Sequence, residues 1–238
     1  MVMPLYDHSP FRWPTPPYVM WSLIAVNVIV FVAQSTLGPE GLAQLEHAAG
    51  LIPVALTSGQ WSTGPIPPPL TLITALFVHG SGMHIFGNMI FLFVFGDDIE
   101  EALGHWRFLF FYLACGLGAD AAFVLSDPTS NIDLIGASGA IAGVISAYLL
   151  YRPCAKVTAL LGVIPLRVRA YWLIGLWVIL QIGEIASNAQ DGVAYWAHIG
   201  GLITGAVLFV LMRPPGISLL DCVHSEPFPV VGPTVPPR

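Results

Sequence analysis

Hydrophobic residues in this chain fall into long runs, and polar residues collect in the segments between them. A helix needs about 20 mostly apolar residues to cross a bilayer. Six runs come near this length: 18–37, 76–95, 106–125, 137–151, 170–187 and 193–212. The fourth run is the shortest. The pattern predicts an all-α polytopic membrane protein, a bundle of six transmembrane helices whose fourth helix is short and buried.

The segments outside the runs complete the predicted organisation. Residues 1–17 lack a basic stretch leading into a cleavage site, so they predict a cytoplasmic N-terminal segment and not a removable signal peptide. The predicted membrane domain, 18–212, includes a long outer loop, 38–75. Because this loop contains Trp61 and an apolar stretch, we expect it to lie partly in the membrane interface. The Pro-rich tail, 213–238, is predicted to be disordered and cytoplasmic.

The basic residues give the predicted orientation, because cytoplasmic loops carry the excess of Lys and Arg. With six spans, all eight basic residues fall on the side of the two termini: Arg12, Arg107, Arg152, Lys156, Arg167, Arg169, Arg213 and Arg238. The loops on the other side carry Glu40, Glu46, Asp127, Asp133 and Asp191. Both termini are therefore predicted to be cytoplasmic. The net charge of −6 is spread over short loops and indicates no acidic or basic partner.

Composition excludes several classes of function. Hydrophobic residues make up 55% of the chain and charged residues only 9%, against about 25% charged in average soluble domains. A water-soluble enzyme, a disordered chain and a nucleic-acid binder are excluded on this ground. The cysteines, Cys115, Cys154 and Cys222, are odd in number and widely spaced, so we expect apolar packing residues and a tail thiol, without a disulfide framework or a zinc site.

Four polar side chains are predicted to lie within the outer half of the membrane. At 1.5 Å per residue, Ser138 comes out about 21 Å above Arg152, at the inner end of its helix. His198 and His84, counted in the same way, come out at about 22 and 20 Å, and Asn88 at about 14 Å. Ionisable groups inside a bilayer are costly and usually functional. The pattern thus predicts a polar layer about 10 Å beneath the outer surface of a core about 30 Å thick.

A serine and a histidine at one depth suggest a nucleophile and its general base, since a hydroxyl is a weak nucleophile until a base removes its proton. The alternative is a hydrogen bond that only holds helices together. Ser138 lies between Gly136 and Gly139 at the start of the short fourth helix, where free backbone N–H groups can bind a developing oxyanion. We expect Gly139, Gly201 and Gly205 to let the fourth and sixth helices approach closely, as packing glycines also do.

At these residues the sequence resembles the rhomboid family of intramembrane serine proteases, specifically its six-span bacterial type. The matching residues cover about 4–212 and include four stretches: Gly136-Ala137-Ser138-Gly139; His79 through His84 to Asn88; Phe95-Gly96-Asp97-Asp98-Ile99-Glu100; and Ala197-His198-Ile199-Gly200-Gly201 with Gly205.

The resemblance implies roles for individual residues. Ser138 would be the nucleophile and His198 the base of a dyad without a third acid, a metal or a cofactor. His84, Asn88 and the Ser138 backbone N–H would form the oxyanion hole. Glu100 would be a structural hydrogen-bonding residue at the inner end of the second helix.

One position departs from the family pattern. Some members have a bulky aromatic residue four positions after the nucleophile that packs on the histidine ring, whereas this chain has Ala142. We therefore expect another group to hold the base, with Tyr148, Trp196 or an aromatic residue of the second helix as candidates.

Three other polar residues have two interpretations each. Asp120, at the depth of the predicted polar layer, is either a third member of the catalytic group or, more in keeping with its setting, a structural or cavity-lining group. Glu184 lies near the outer end of the fifth span, where interfacial solvation explains it better than a role in substrate access. His79 is a cavity helper or, preferably, a satisfied polar group. Aromatic residues such as Trp177 are predicted to be packing or interface residues.

The resemblance implies an intramembrane endopeptidase that cleaves peptide bonds in or near transmembrane segments of other proteins, with access between the second and fifth helices. Its partners would be transmembrane protein substrates and membrane lipids, with no nucleic acid. It would be an integral protein of a bacterial plasma membrane. Two other functions stay open: a catalytically inactive rhomboid-like protein that binds membrane clients, and a small transporter or channel, for which no inverted repeat is visible.

Overall fold

The fold comes from a computed structural model that describes residues 2–7, 16–59, 65–187, 192–220 and 222. Statements about structure below refer to these residues. Several predictions fall outside them: the interfacial position of Trp61, the disorder of most of the tail, and the charges of Arg12, Asp191 and Arg238.

Helices make up most of the described chain. They are α1 (Tyr18–Ser35), α2 (Pro39–Ala49), α3 (Pro53–Thr57), α4 (Pro68–Thr74), α5 (Gly82–Leu103), α6 (His105–Ser126), α7 (Ser138–Tyr151), α8 (Ala170–Ala186) and α9 (Tyr195–Met212). A 3-10 turn, Ala75–Phe77, follows α4. The strands are β1 (Val2–Asp7), β2 (Lys156–Leu161) and β3 (Ile164–Arg169).

Within the described ranges, four helices are long and apolar enough to cross a membrane: α1, α5, α6 and α9. Helices α7 and α8 are also apolar but shorter. The prediction of a mostly helical polytopic membrane protein is therefore confirmed, while the number of six spans stays a prediction.

Helix α7 is the centre of the bundle. Its residues from Gly139 to Tyr148 are buried without interruption, because α5, α6 and α9 all pack on it. Helix α8 lies at the edge, since only Ala170, Ile174 and Gln181 of its residues are buried. Helix α7 thus lies inside the bundle, and α8 packs at its edge.

Glycines let α7 and α9 approach until their backbones touch. A Cβ placed on Gly201 would overlap the carbonyl oxygen of Gly139, and one on Gly205 would overlap the backbone of Gly143. Such stripes of small residues let membrane helices pack at short distance. The close approach lies beside His198 on α9 and Ser138 on α7.

The prediction of an all-α fold is wrong in one region. Among the described residues, β1, β2 and β3 form a three-stranded antiparallel sheet at the end of the bundle where α7 ends and α8 begins. Val2 pairs with Leu161, and Lys156 pairs with Arg169. The β2–β3 hairpin turns at Gly162, whose φ of 64° suits glycine. Short strands of this kind give no long apolar run, so the hydrophobic pattern did not reveal them.

The second span is shifted along the chain from its predicted bounds of 76–95. Helix α5 begins at Gly82 and continues to Leu103 through four carboxylates. These acidic residues stay inside the helix because they have partners within the protein. Asp98 lies 2.5 Å from the Arg152 guanidinium, and both side chains are buried.

Glu100 joins the C-terminal end of α5 to the start of α1. Its carboxylate accepts hydrogen bonds from the backbone N–H groups of Val19 and Met20, at 2.9 and 2.6 Å, and lies 2.5 Å from His105 Nδ1. The first N–H groups of a helix have no partner within the helix. Glu100 therefore caps α1 from a distance of 80 residues in the sequence.

We expect Glu100→Gln to lower the free energy of unfolding by roughly 2 kcal/mol, because an amide accepts fewer bonds and turns an N–H group toward the N–H donors. Thermal unfolding in detergent micelles would measure the loss. Glu40→Gln is the matched control, since Glu40 is exposed on α2. Equal midpoints for the two variants would contradict this structural role for Glu100.

The cysteine prediction is also corrected. Cys154 and Cys222 form a disulfide although 68 residues separate them, and Cys115 is free and buried. The pairing depends on the chain after α9 folding back against α7, where the Leu220 N–H donates to the Leu150 carbonyl over 2.7 Å. Spacing in the sequence cannot indicate such a return.

Candidate active site

Ser138 is the first residue of α7, and the backbone before it is shaped by a glycine. Gly136 has a φ of 112°, a conformation that favours glycine, and its N–H donates to the Ala75 carbonyl over 2.8 Å. The N-cap residue of α7 is Ala137, whose methyl side chain cannot make a capping hydrogen bond. The first N–H groups of this helix, including that of Ser138, are therefore available to a ligand in the space in front of them.

His198 lies in the first turn of α9 and faces Ser138. Its Nε2 atom is 2.9 Å from the Ser138 Oγ atom, within hydrogen-bond distance. The histidine is buried, and the serine is partly open. The structure thus places within hydrogen-bond distance the two residues that the sequence paired by their depth, the glycine-flanked serine motif and the family resemblance.

The other side of the His198 ring contacts α8. Its Nδ1 atom is 2.5 Å from Gln181 Oε1. The Trp177 ring lies against the imidazole with centroids 5.7 Å apart and planes 38° apart, and Tyr195 of α9 meets it edge-on at 6.4 Å. Gln181, Trp177 and Tyr195 thus contact the His198 ring, while the α7 position four residues after Ser138 has the small Ala142.

The residues expected to hold the base have other positions. Tyr148 packs on Phe95 of α5 with ring centroids 4.8 Å apart and donates a hydrogen bond to Asp7 over 2.7 Å. Trp196 is exposed. Trp177 is predicted from the sequence to be a packing or interface residue, and the sequence motifs assign Gln181 no role. A lone glutamine on an apolar helix, four residues after a tryptophan, was the available signal.

His84 and Asn88 lie one turn apart on α5 and face the backbone before Ser138. A Cβ on Gly136 would come within 2.6 Å of His84 Nε2 and 3.5 Å of Asn88 Nδ2. The Asn88 Nδ2 atom is buried and has no hydrogen-bond partner in the part of the chain that is described. An unpaired buried donor is costly, and this one lies on the wall of the space in front of Ser138.

That space is a cavity of about 630 Å³, lined by Ser138, His198, His84, Asn88 and Trp177 among others. A second, apolar cavity of about 230 Å³ lies between α5 and α8. The two share three lining residues: Phe91, Ile145 and Trp177. The cavity in front of Ser138 is therefore next to an apolar groove between these two helices.

Two acidic residues, Glu46 and Asp133, lie at the wall of the cavity. Burial, followed by the nearby Asp133 carboxylate, raises the pKa of Glu46 above its usual value. Both residues line the cavity, and the Glu46 Oε1 atom lacks a hydrogen-bond partner among the described residues.

The remaining polar residues weighed in the sequence lie outside the Ser138–His198 pair. Asp120 is buried on α6, but the Nδ1 atom of His198 is bonded to Gln181, which leaves the aspartate no place as a third member. His79 is fully buried with its ring centroid 5.1 Å from that of His84. Neither ring nitrogen of His79 has a hydrogen-bond partner among the described residues, so the preferred prediction of a satisfied polar group is not borne out. The amide of Gln34 pairs with the His79 backbone N–H and carbonyl, at 3.2 and 3.3 Å.

Known proteins match the region that contains this site. Residues 68–215 match the family described as Rhomboid domain. The chain is 29% identical over 208 residues to Rhomboid protease AarA of Providencia stuartii. The aligned region covers 79% of this chain and 70% of that protein. It is 29% identical over 160 residues to Rhomboid-like protein 11, chloroplastic, of Arabidopsis thaliana, covering 62% and 54%. Rhomboid protein 1, mitochondrial, of Saccharomyces cerevisiae is 26% identical over 217 residues, covering 85% and 56%.

The chain spans from about half to 70% of the length of these relatives. The matched family region takes in more than half of the chain and includes Ser138, His198, His84 and Asn88. The resemblance drawn from the sequence motifs is confirmed by these matches, and the chain belongs to the rhomboid family.

Proposed function

We propose that this integral membrane protein is an intramembrane serine endopeptidase that cleaves peptide bonds in or near transmembrane segments of other proteins. The observation that carries the proposal is the 2.9 Å contact between Ser138 Oγ and His198 Nε2 at the wall of a cavity inside the bundle. A relative that matches most of the chain bears the name rhomboid protease.

The reaction follows from the two side chains. The Ser138 oxygen attacks the substrate carbonyl while His198 Nε2 takes the hydroxyl proton. When the C–N bond breaks, His198 returns that proton to the leaving amine, and Ser138 is left as an acyl-enzyme. Water, activated by the same histidine, then hydrolyses the ester and restores the serine.

The negative charge that develops on the carbonyl oxygen needs donors already in place. We assign this role to the Ser138 backbone N–H, His84 and the Asn88 amide. The unpartnered Asn88 Nδ2 atom supports the assignment, because a substrate oxyanion would give this buried donor an acceptor. Gly136 lets the histidine and the amide approach the helix start, where a Cβ would intrude.

Substrate access follows from the groove between α5 and α8. Its lining is largely apolar and includes Phe91 and Trp177, which also line the catalytic cavity. A transmembrane segment could move from lipid along this groove toward Ser138. We therefore propose membrane proteins as the substrate class, with lipid as the surrounding solvent.

We also propose six spans, α1, α5, α6, α7, α8 and α9, with both termini in the cytoplasm of a bacterial cell. Because α7 is central and shielded from lipid by its neighbours, it need not have the length of a lipid-exposed span. The orientation rests on the basic residues, which lie on the side of the termini.

A fluorophosphonate probe, which reacts with activated serines, tests the proposal on the full chain in detergent. We expect one adduct, mapped by mass spectrometry to Ser138, and loss of labelling by at least about 100-fold in His198→Ala. Ser146, buried on the same helix and bonded to the Gly143 carbonyl over 2.9 Å, is the internal control and should stay unlabelled. A folded wild-type chain without an adduct at Ser138 would favour a client-binding or transport function instead.

A further inference from the structure

We propose that Gln181 is the positioning residue for the histidine of the dyad, and that it acts from α8 by fixing the tautomer and the orientation of the His198 ring. This inference rests on the proposed function, since it assigns the histidine's second nitrogen a partner for the same reaction. Gln181 and Trp177 lie one helical turn apart on α8 and both contact His198.

First, Gln181 decides which nitrogen of the His198 ring carries the proton. A neutral imidazole carries one N–H, and the position of that N–H decides which nitrogen is the base. The Gln181 Oε1 atom is an acceptor only, so at 2.5 Å it takes a hydrogen bond from Nδ1–H. Nε2 is then left with a lone pair directed at the Ser138 hydroxyl, 2.9 Å away.

The second step concerns rotation of the ring. His198 is 8% exposed and Gln181 is 7% exposed. Breaking the hydrogen bond between them would therefore leave two buried polar atoms without a partner, which is costly. Trp177 covers the ring at 5.7 Å. Four residues after Ser138, helix α7 has the small Ala142 and no aromatic ring. Helix α8 thus supplies both the hydrogen bond and a ring that limit the motion of His198.

The third step concerns charge. When Nε2 takes the proton from Ser138, the ring becomes an imidazolium with an N–H on each nitrogen, and Nδ1–H keeps its bond to Gln181. A hydrogen bond to a charged group is stronger than a neutral one, so the amide stabilises the protonated ring. It does so less than a carboxylate would, because glutamine has no net charge. His84 of α5 is a titratable side chain that faces His198 across the same cavity. With His84 unchanged, residue 181 therefore tunes the pH range over which His198 can accept a proton.

Two variants separate these effects. Gln181→Leu keeps the size and removes the acceptor, and we expect kcat to fall about 10- to 100-fold with KM changed less than about twofold, because substrate binding is untouched. Its acidic limb in the plot of kcat/KM against pH should move to lower pH. Gln181→Glu places a carboxylate at Nδ1, favours the protonated ring, and should move the acidic limb to higher pH.

The shift to lower pH in Gln181→Leu identifies positioning, because removal of a merely structural glutamine would leave the profile unchanged. The opposite shift in Gln181→Glu shows that the side chain at this position acts on Nδ1. Ile179→Ala is the control on α8. Ile179 is exposed on the side away from Gln181, and this variant should keep the wild-type profile. If both Gln181 variants keep wild-type kcat and the wild-type pH profile while the enzyme cleaves normally, the inference is overturned and the proposed function stands.

A second measurement does not depend on proteolysis. In a chain with ¹⁵N-labelled histidines, the signals absent from His198→Ala identify His198, and their shifts report which nitrogen carries the proton. We expect an Nδ1–H tautomer in the wild type and its loss or mixing in Gln181→Leu. If that change occurs in a chain that neither cleaves nor reacts with the probe, the proposed function fails while the Gln181 contact survives. An unchanged tautomer would overturn the inference.

Discussion

Replacing Ser138 with alanine should abolish cleavage of a single-span reporter protein and leave the fold intact. In the proposed reaction the hydroxyl supplies the atom that forms the covalent intermediate, and no other serine is hydrogen-bonded to His198 among the described residues. In serine proteases, loss of the nucleophile lowers kcat by about 10⁴-fold or more. The removed atom lies at the wall of a cavity, so its loss leaves no gap in the core. Thermal stability should therefore change by less than about 1 kcal/mol.

The measurement is reporter cleavage in vesicles, with Ser146→Ala as the matched control. Ser146 lies on the same helix two turns after Ser138 and bonds only within it. We expect Ser146→Ala to cleave within about threefold of the wild type. Cleavage by Ser138→Ala at a rate near that of the control would remove Ser138 from the mechanism, whatever its distance to His198.

Most helices could be predicted from the sequence because lipid imposes a long apolar run on each of them. The predicted run 170–187 and helix α8, Ala170–Ala186, differ by one residue. The run predicted at 76–95 failed for a physical reason. The helix continues past residue 95 through carboxylates that, in the sequence, look like residues of the membrane interface. Inside the protein these carboxylates have partners: Asp98 pairs with Arg152, and Glu100 accepts hydrogen bonds at the start of α1.

Depth along a helix can be counted from one of its ends, so the sequence could place Ser138, His198, His84 and Asn88 at similar depths. In the structure these four residues line one cavity. The rotation of one helix relative to another cannot be counted in this way. Gln181 is on α8, and its approach to His198 Nδ1 depends on how α8 turns against α9. The sequence therefore predicted a Ser–His pair and missed the partner of its second nitrogen.

A substitution at Gly201 tests whether the close approach of α7 and α9 brings Ser138 and His198 into contact. A Cβ on Gly201 would overlap the carbonyl oxygen of Gly139 and would also come within 3.3 Å of the Ala142 Cβ. Backbone atoms of a central helix cannot turn aside as a flexible side chain can, so the two helices must separate. Since Ser138 and His198 are on these two helices, their 2.9 Å contact must lengthen.

We therefore expect Gly201→Ala to lower kcat/KM by at least about 100-fold, because a displacement of about 1 Å in catalytic groups has an effect of that size. It should also lower thermal stability. The matched control is Gly183→Ala on α8, where an added Cβ meets no atom within 4 Å. Alanine is preferred over glycine inside helices by roughly 0.5–1 kcal/mol, so this control should be as active as the wild type and no less stable. The same substitution then has opposite consequences on two helices. Equal activity of Gly201→Ala and Gly183→Ala would show that the dyad does not depend on contact between the two backbones.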